Sequence, residues 1–388
     1  MKNIVNSRIA LVVLAVFGAA RAPAQSMDDL NLQVHGYATQ GFVYSTHNNW
    51  DSTNSTDGSA GWTEAVVNLS MQPQPKLRIG MQARYFILGT YGDQIILDWA
   101  QLDYKVNEHI GFRVGDVKTP AALLNEIQDI DPAYPWILLP QSIYPLASRE
   151  STLDHYGAVV YGSVPLGEHI GKLEYRGYGG EREIGGNDGY FQAFRDAGLT
   201  LPNGILGPLY GATLKWRTPI DALLVGASYD IEHPSGEIDA GALHGTFQSS
   251  RLKVPCYLAK YEASKLMFAS EYARVPVKST IQFPGLPAAI TPIDERAFYV
   301  MASYKITRKL SGGAYYSSVN NRQGAFTSTG SRYQKDWALN ARYDFNAFLY
   351  AKAEQHFVDG TYTGFNASDN LNLQPDARMT MLKLGVTF

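Results

Sequence analysis

The chain has 388 residues and a formal net charge of -3, and a mildly acidic chain is a poor nucleic-acid binder, because binding phosphates needs clustered basic residues. Its hydrophobic fraction of 45% is that of an ordinary soluble protein, but membrane β-barrels have the same composition because only one face of each strand meets lipid. The single cysteine, Cys256, excludes an internal disulfide.

The N-terminus has the features of a secretory signal peptide. Lys2 and Arg8 precede an apolar run over residues 9–20, and residues 22–24 are small enough for cleavage. The run is shorter than the about 20 apolar residues that a membrane-spanning helix needs. We therefore predict that residues 1–24 are removed on export, which leaves 30 basic and 36 acidic residues and a net charge of -6.

Residues 76–86 show the pattern that recurs along the rest of the chain. Apolar side chains such as Leu77 and Ile79 alternate with polar ones such as Arg78 and Arg84, and a period of two predicts a β-strand. In a membrane barrel the apolar set faces lipid and the polar set faces water inside. In a soluble sandwich the apolar set would form a core, so one strand alone does not decide between the two folds.

The repetition of this pattern favours a barrel. We predict sixteen strands, which begin near residues 30, 61, 76, 96, 110, 154, 171, 209, 221, 255, 266, 296, 310, 336, 348 and 378. Even strand numbers are typical of single-chain bacterial barrels. Short turns alternate with long polar connections, which we predict at residues 47–60, 181–207, 232–250 and 276–294. Short turns on one rim and long loops on the other are a further feature of membrane barrels.

Aromatic residues recur near the ends of the predicted strands. We interpret them as girdles at the two membrane interfaces, where a ring lies partly in lipid and its polar tip in the headgroups. The alternative is that aromatic residues simply favour strands. The set comprises Trp62, Tyr85, Trp99, Tyr104, Trp216, Tyr229, Tyr304, Trp337 and Tyr343.

Residues 118–149 break the alternation. Their five prolines stiffen the segment and prevent strand pairing; these are Pro120, Pro132, Pro135, Pro140 and Pro145. The segment is also unusually apolar for a loop, with Leu123, Leu124 and residues 136–139 among its aliphatic and aromatic positions. An exposed loop of this composition would promote association, so we expect it to be buried.

The chain ends on another alternating strand, with Leu382, Leu384 and Phe388 on one face and Lys383 on the other. A strand that finishes on an aromatic residue resembles the closing strand of Gram-negative outer-membrane β-barrels. With the features above, the resemblance to Gram-negative porins covers the whole mature chain, residues 25–388. It implies an all-β fold, a closed transmembrane antiparallel β-barrel of about 16 strands, and a terminal Phe388 that is recognised for assembly.

The resemblance also predicts a constriction. In general porins the third long loop folds into the barrel and narrows it, and residues 118–149 resemble that loop in place and composition. The resemblance implies that Glu126, Asp129 and Asp131 form an acidic side of the pore. Charges of opposite sign across a narrow gap favour polar solutes over apolar ones.

Inward parity supplies the opposing basic side, for which we choose Arg78, Arg84, Arg113 and Arg176 from a larger inward set that also contains Lys172, Lys215, Arg217, Arg342 and Lys352. The alternative is that these cations pair with neighbouring inward acids such as Glu64, Asp103 and Glu174. The mixed signs of the inward charges do not predict whether anions or cations pass more readily.

The predicted function is a water-filled porin for passive diffusion of small hydrophilic solutes, surrounded by outer-membrane lipid and, by resemblance, homotrimeric. An alternative is a substrate-specific channel for a sugar or small organic acid, with Tyr134, Trp136 and Tyr144 as a stacking surface. A barrel enzyme or adhesin is less favoured, because the histidines lack the spacing with acids or serine that such enzymes need. We expect no catalytic residue, no metal and no cofactor.

Overall fold

The computed structural model describes residues 31–324 and 330–388, so the predicted signal peptide lies outside the described residues. Within these ranges no helix has the length and apolar character needed to cross a bilayer. The described strands are β1 (Gln33–Ser45), β2 (Ser59–Gln74), β3 (Leu77–Leu88), β4 (Tyr91–Lys105), β5 (Gly111–Lys118), β6 (Asp154–Gly167), β7 (Gly171–Ile184), β8 (Ile205–Arg217), β9 (Leu223–Glu232), β10 (Ser235–Ala240), β11 (Leu243–Ser249), β12 (Leu252–Ala263), β13 (Leu266–Gln282), β14 (Ala289–Lys305), β15 (Leu310–Asn321), β16 (Tyr333–Asp344), β17 (Leu349–Gly360) and β18 (Asp376–Thr387). A short helix, α1 (Gln192–Asp196), follows a 3₁₀ turn between β7 and β8.

Sixteen of these strands close into an antiparallel barrel. Neighbours in the chain pair from β1 to β9 and from β12 to β18, β9 pairs with β12, and β1 pairs with β18. At the closure, Gly36 and Phe388 exchange two backbone hydrogen bonds of 3.0 and 3.1 Å. A Cβ atom on Gly36 would lie 2.5 Å from the Phe388 ring, so glycine lets that ring cross the seam. The predicted closed barrel of about 16 strands is confirmed.

All sixteen predicted strands correspond to barrel strands, and β6, β7, β13 and β15 begin at the predicted residues. The predicted loops at 232–250 and 276–294 are wrong in part. The first contains the hairpin β10–β11, which pairs at its ends with β8 and β13. The second is mostly strand, since β13 continues to Gln282 and β14 begins at Ala289. The polar composition of these residues indicates contact with water, but strands can extend beyond the membrane and stay paired in water.

The alternation separates two faces of the wall. On β18, Leu382 and Leu384 are 49% and 51% exposed, whereas Met379 and Met381 at the alternate parity are buried. Most of the predicted girdle aromatics face outward and are exposed, namely Tyr104, Trp216, Tyr229, Tyr304, Trp337 and Tyr343. The girdle prediction is wrong for Trp62 and Trp99, which are buried. Trp62 packs on Trp50, and Trp99 contacts the connection that follows β5.

The connections differ in length between the two rims. On one rim they span two to five residues, as predicted for tight turns. On the other rim the third connection, residues 119–153 between β5 and β6, is the longest, and it contains the predicted segment after Lys118. Positioning this segment is the main consequence of the fold for function.

Candidate functional site

Residues 119–153 contact inward-facing side chains on opposite walls of the barrel. The Tyr37 hydroxyl of β1 donates to the Asp129 carbonyl at 3.0 Å, and the Ala122 amide donates to the Ser228 hydroxyl of β9 at 3.1 Å. The Pro120 carbonyl accepts from Thr213 of β8 at 2.7 Å. Because the wall is closed, contacts with both sides require the segment to run between them.

Asp131 is held by β17 and β18, the last two strands of the barrel. The ammonium groups of Lys352 on β17 and Lys383 on β18 each lie 2.9 Å from its carboxylate, and the Tyr350 hydroxyl donates to it at 2.7 Å. Burial alone would raise the pKa of Asp131, but the two lysines hold this pKa far below its ordinary value. The carboxylate is therefore ionised, and each of its oxygens forms an ion pair with one lysine. Asp131 is only 3% exposed.

Asp129 is buried in a second set of contacts. Its carboxylate accepts hydrogen bonds from Gln82 at 2.8 Å and from the Trp99 indole at 3.3 Å, and it pairs with Lys118 at 2.7 Å. All four side chains are buried. Asp129 and Asp131 thus both bind the wall, and neither carboxylate is available to an open lumen.

Glu126 lies differently, between two arginines of the wall. Arg113 on β5 donates to it at 2.8 Å, and Arg176 on β7 lies 3.2 Å from its other oxygen. Burial alone would raise the pKa of Glu126, but Arg176 and Arg113 together lower this pKa below its ordinary value. The Glu126 side chain remains 24% exposed. The structure therefore brings three of the predicted constriction residues together.

Arg78 and Arg84, the other predicted basic residues, have different surroundings. Arg84 is buried, pairs with Glu64 at 2.7 Å and stacks on the Phe86 ring at 3.8 Å. Arg78 is exposed and donates to the Ser70 hydroxyl at 3.2 Å. It lines a cavity of about 270 Å³, which is also lined by Asn68, Gln101, Asp103, Arg113, Lys118 and Glu126. Arg78 therefore joins the Glu126 cluster, whereas Arg84 belongs to a separate buried ion pair.

Three comparisons with known proteins bear on this arrangement. No protein-family model matches the chain, and no curated protein is similar enough in sequence to match it. The trimer form of OmpT, an outer membrane protein of Vibrio cholerae, is 14% identical, with a TM-score of 0.52 over 92% of this chain and 99% of that chain. OmpF of Salmonella typhi, in complex with daunomycin, is 14% identical, with a TM-score of 0.57 over 94% and 99%. The outer membrane channel DcaP of Acinetobacter baumannii is 11% identical, with a TM-score of 0.55 over 95% and 100%.

This chain has the fold of outer-membrane porins. At these identities the likeness concerns the course of the backbone. In a porin fold the two faces of each strand meet different solvents, which explains why apolar side chains such as Leu382 and Leu384 face outward and are exposed.

Sequence reasoning missed how strongly acids of the wall hold the backbone of the segment. Glu354 on β17 accepts hydrogen bonds from the amides of Ile137 at 2.8 Å and Leu138 at 3.2 Å. Glu271 on β13 accepts from the Leu123 amide at 2.8 Å. Both acids are buried. Inward parity marks such acids, but only the path of the segment shows that they bind its amides.

The predicted stacking residues are used mainly in packing. Trp136 is fully buried, with its ring 5.1 Å from that of Tyr315. Tyr144 is also buried and donates to Glu271 at 2.5 Å. Tyr134 is partly exposed, and its hydroxyl donates to the Gln128 carbonyl at 3.0 Å. Tyr134 is thus the member of the three that is not buried, and the Lys352 ammonium lies 4.9 Å from the centre of its ring.

One histidine does meet acids, contrary to what its spacing indicated. His356 on β17 lies 2.8 Å from Asp336 and 2.8 Å from Glu354. The residue is fully buried beside Tyr315. Glu354 also binds the backbone of the segment, so this cluster links β16 and β17 to the segment. The imidazole is buried and has no surface for a substrate.

Proposed function

We propose that this protein is an outer-membrane channel through which small hydrophilic solutes diffuse passively, with no catalytic step. The observation that carries the proposal is a closed barrel whose inward face is charged and whose interior is crossed by residues 119–153. Apolar outward side chains and a charged interior suit a wall between lipid and water. The fold shared with porins supports the same role.

The proposed constriction consists of Glu126, Arg113, Arg176 and Arg78. Of the three predicted constriction acids, Glu126 is the one that remains partly exposed, and it lines the same cavity as Arg78. Asp129 and Asp131 have a positioning role in this proposal, because their ion pairs fix the segment against the wall. A solute then passes between the segment and strands β3 to β8.

A substrate-selective channel is the second candidate, and the dense anchoring of the segment favours it. The hydrogen bonds that segment amides donate to Glu354 and Glu271 resist widening of the passage. A narrow passage of fixed shape discriminates among solutes by size and charge. Tyr134 would then supply a ring face for a sugar or a small organic acid.

Export, membrane location and assembly belong to the same proposal. The residues 1–24 act as a cleaved signal peptide, Phe388 marks the last strand for assembly, and the mature chain forms a homotrimer in outer-membrane lipid. The trimer form of one structural neighbour supports the last point at the level of the fold. Mass determination of the mature N-terminus and cross-linking in isolated outer membranes test these statements.

Conductance in planar bilayers tests the channel itself. The refolded mature protein is expected to give discrete conductance steps, and a general porin predicts that ion flux rises in proportion to solute concentration. Saturable block of the current by one solute class would favour the selective channel instead. A protein that inserts but stays closed at every voltage would overturn both forms of the proposal.

A further inference from the structure

The inward face of strands β3 to β8 carries more basic than acidic side chains on the short-turn side of the segment. We call the basic set the basic arc; it comprises Arg78, Arg113, Lys172, Arg176, Lys215 and Arg217. The strand register makes the arc continuous, because Arg78 lies opposite Asp103, which lies opposite Arg113. Farther along, Lys215 lies opposite Glu174.

Three carboxylates accompany the basic arc, and each is already paired. Asp103 accepts from Arg113 at 3.0 Å. Glu126 is shared by Arg113 at 2.8 Å and Arg176 at 3.2 Å. Glu174 pairs with Arg217 and lies 4.0 Å from Arg176.

Three cations of the arc are left over. Among the described residues, no carboxylate lies within 4.0 Å of the charged groups of Arg78, Lys172 or Lys215. Six basic groups against three carboxylates give the arc a net charge of +3. The nearby segment does not reverse this sign, since Asp129 pairs with Lys118 and Asp131 pairs with two lysines.

We infer that the passage selects small anions, and that Arg78 and Lys172, the two exposed cations among these three, supply much of this selectivity. This inference rests on the proposed channel function and names its solute class. A fixed positive excess beside a narrow aqueous path raises the local anion concentration and repels cations. The chain as a whole has a net charge of -3, so total charge alone favours cations, and the two explanations predict opposite signs of the reversal potential.

Reversal potentials under a potassium chloride gradient test the inference. Wild type is expected to pass chloride more readily than potassium, and the Arg78→Gln/Lys172→Gln variant is expected to lower the chloride-to-potassium permeability ratio by about twofold or more. Lys335→Gln is the matched control, because Lys335 is an outward-facing, exposed cation that pairs with Asp359. Its permeability ratio is expected to equal that of wild type.

The outcomes separate the two levels of the proposal. No current from inserted protein would overturn the channel, and with it the inference. A current carried mainly by potassium would overturn anion selection while leaving the channel standing. If the double variant has the same chloride-to-potassium permeability ratio as Lys335→Gln, the two cations do not determine the selectivity. If the double variant does not fold, the wild-type reversal potential with potassium chloride and with potassium acetate still decides the preference.

Discussion

Strands β13 to β18 and strands β3 to β8 form two walls of the interior, and they contact residues 119–153 in different ways. Along β13 to β18 the contacts are buried: Trp136 packs on Tyr315, and Asp131 lies between Lys352 and Lys383. Along β3 to β8 the contacts around Glu126 border a cavity of about 270 Å³ and remain partly exposed. Strands β3 to β5 also hold the segment through the buried contacts of Asp129, so the difference lies at Glu126, where this wall leaves room beside the segment.

Two acids only five residues apart show what this difference means for charge. The pKa values of Glu126 and Asp131 are both held below the ordinary value by basic neighbours that outweigh burial. For Asp131 the ion pairs are desolvated, so their main effect is on stability and position. For Glu126 water reaches the pair, so its charge contributes to the field that a passing ion meets.

Asp131→Ala is expected to have the largest effect, because it leaves two buried ammonium groups without their anion. Removing one partner of a buried pair typically costs about 3–5 kcal/mol. We expect a lower free energy of unfolding in detergent and a larger single-channel conductance as the segment loosens. Since the folded-state pKa is lowered, the stabilisation is present at neutral pH and is lost only as the pH falls through that lowered value in strong acid.

Asp57→Ala is the control for this prediction. Asp57 is exposed in the connection between β1 and β2 and accepts a hydrogen bond from Asn54 at 2.9 Å. A surface change of this kind usually stays within about 0.5 kcal/mol. Equal unfolding free energies for the two alanine variants would show that Asp131 does not anchor the segment.

Trp136→Ala tests the apolar part of the same wall. Removing a fully buried tryptophan typically costs about 3–5 kcal/mol, and packing here is close, since a Cβ on Gly313 would lie 2.8 Å from the indole. Trp136→Phe retains much of the ring and deletes a buried indole N–H that has no partner among the described residues, so we expect a much smaller loss. Denaturant unfolding measures both. Weaker solute block with unchanged stability in Trp136→Ala would instead support the stacking role.

Glu126→Gln sharpens the comparison from the other wall. The amide keeps the shape of the side chain but removes one negative charge between Arg113 and Arg176, so the chloride-to-potassium permeability ratio is expected to rise by about 1.5-fold. Glu237→Gln removes an acid from the hairpin outside the barrel, where Glu237 bonds to Asn203 at 3.0 Å, and should leave the ratio unchanged. A shift toward potassium in Glu126→Gln would contradict the arrangement.

The sequence predicted the barrel well because its signal is local. Period-two alternation assigns each side chain to a face without knowledge of its neighbours, so Arg113 and Arg176 are correctly placed on the inward face. The hairpin β10–β11 was missed because it extends the wall where both faces can be polar. Trp62 and Trp99 were assigned to the wrong face for a related reason, since an aromatic ring suits either solvent.

The partners of the segment were not predictable in the same way. Asp131 meets Lys352 and Lys383 across 221 and 252 residues of sequence, and the proline-rich backbone between has no period that fixes its direction. Asp129 and Glu126 differ by three positions yet meet opposite conditions, one buried and one partly exposed. Only the path of the chain decides between an anchor and a pore-lining acid.

The smallest expected effect concerns Asp188, an acid of the long rim. Among the described residues no basic group lies within 4.0 Å of its carboxylate, and Arg195 donates instead to its backbone carbonyl at 2.9 Å. Asp188 lies between β7 and β8, accepts from the Tyr190 amide at 2.7 Å, and is buried near Glu150. Burial, with Glu150 adding to it, raises the pKa of Asp188 to about 8. Folding therefore favours the protonated acid, and this contribution to stability declines as the pH rises from the ordinary carboxyl range toward 8.

Asp188→Asn mimics the protonated acid and keeps the acceptor for the Tyr190 amide. The variant should have the same unfolding temperature as wild type at about pH 4. At about pH 9 it should unfold a few degrees higher, because Asp188 of wild type then carries a buried charge. Thermal unfolding in detergent at both pH values measures this, with Asp57→Asn as an exposed control. A stability difference that is independent of pH would mean that Asp188 remains ionised, as Asp131 does. The lack of an ion pair would then not distinguish Asp188 from Asp131.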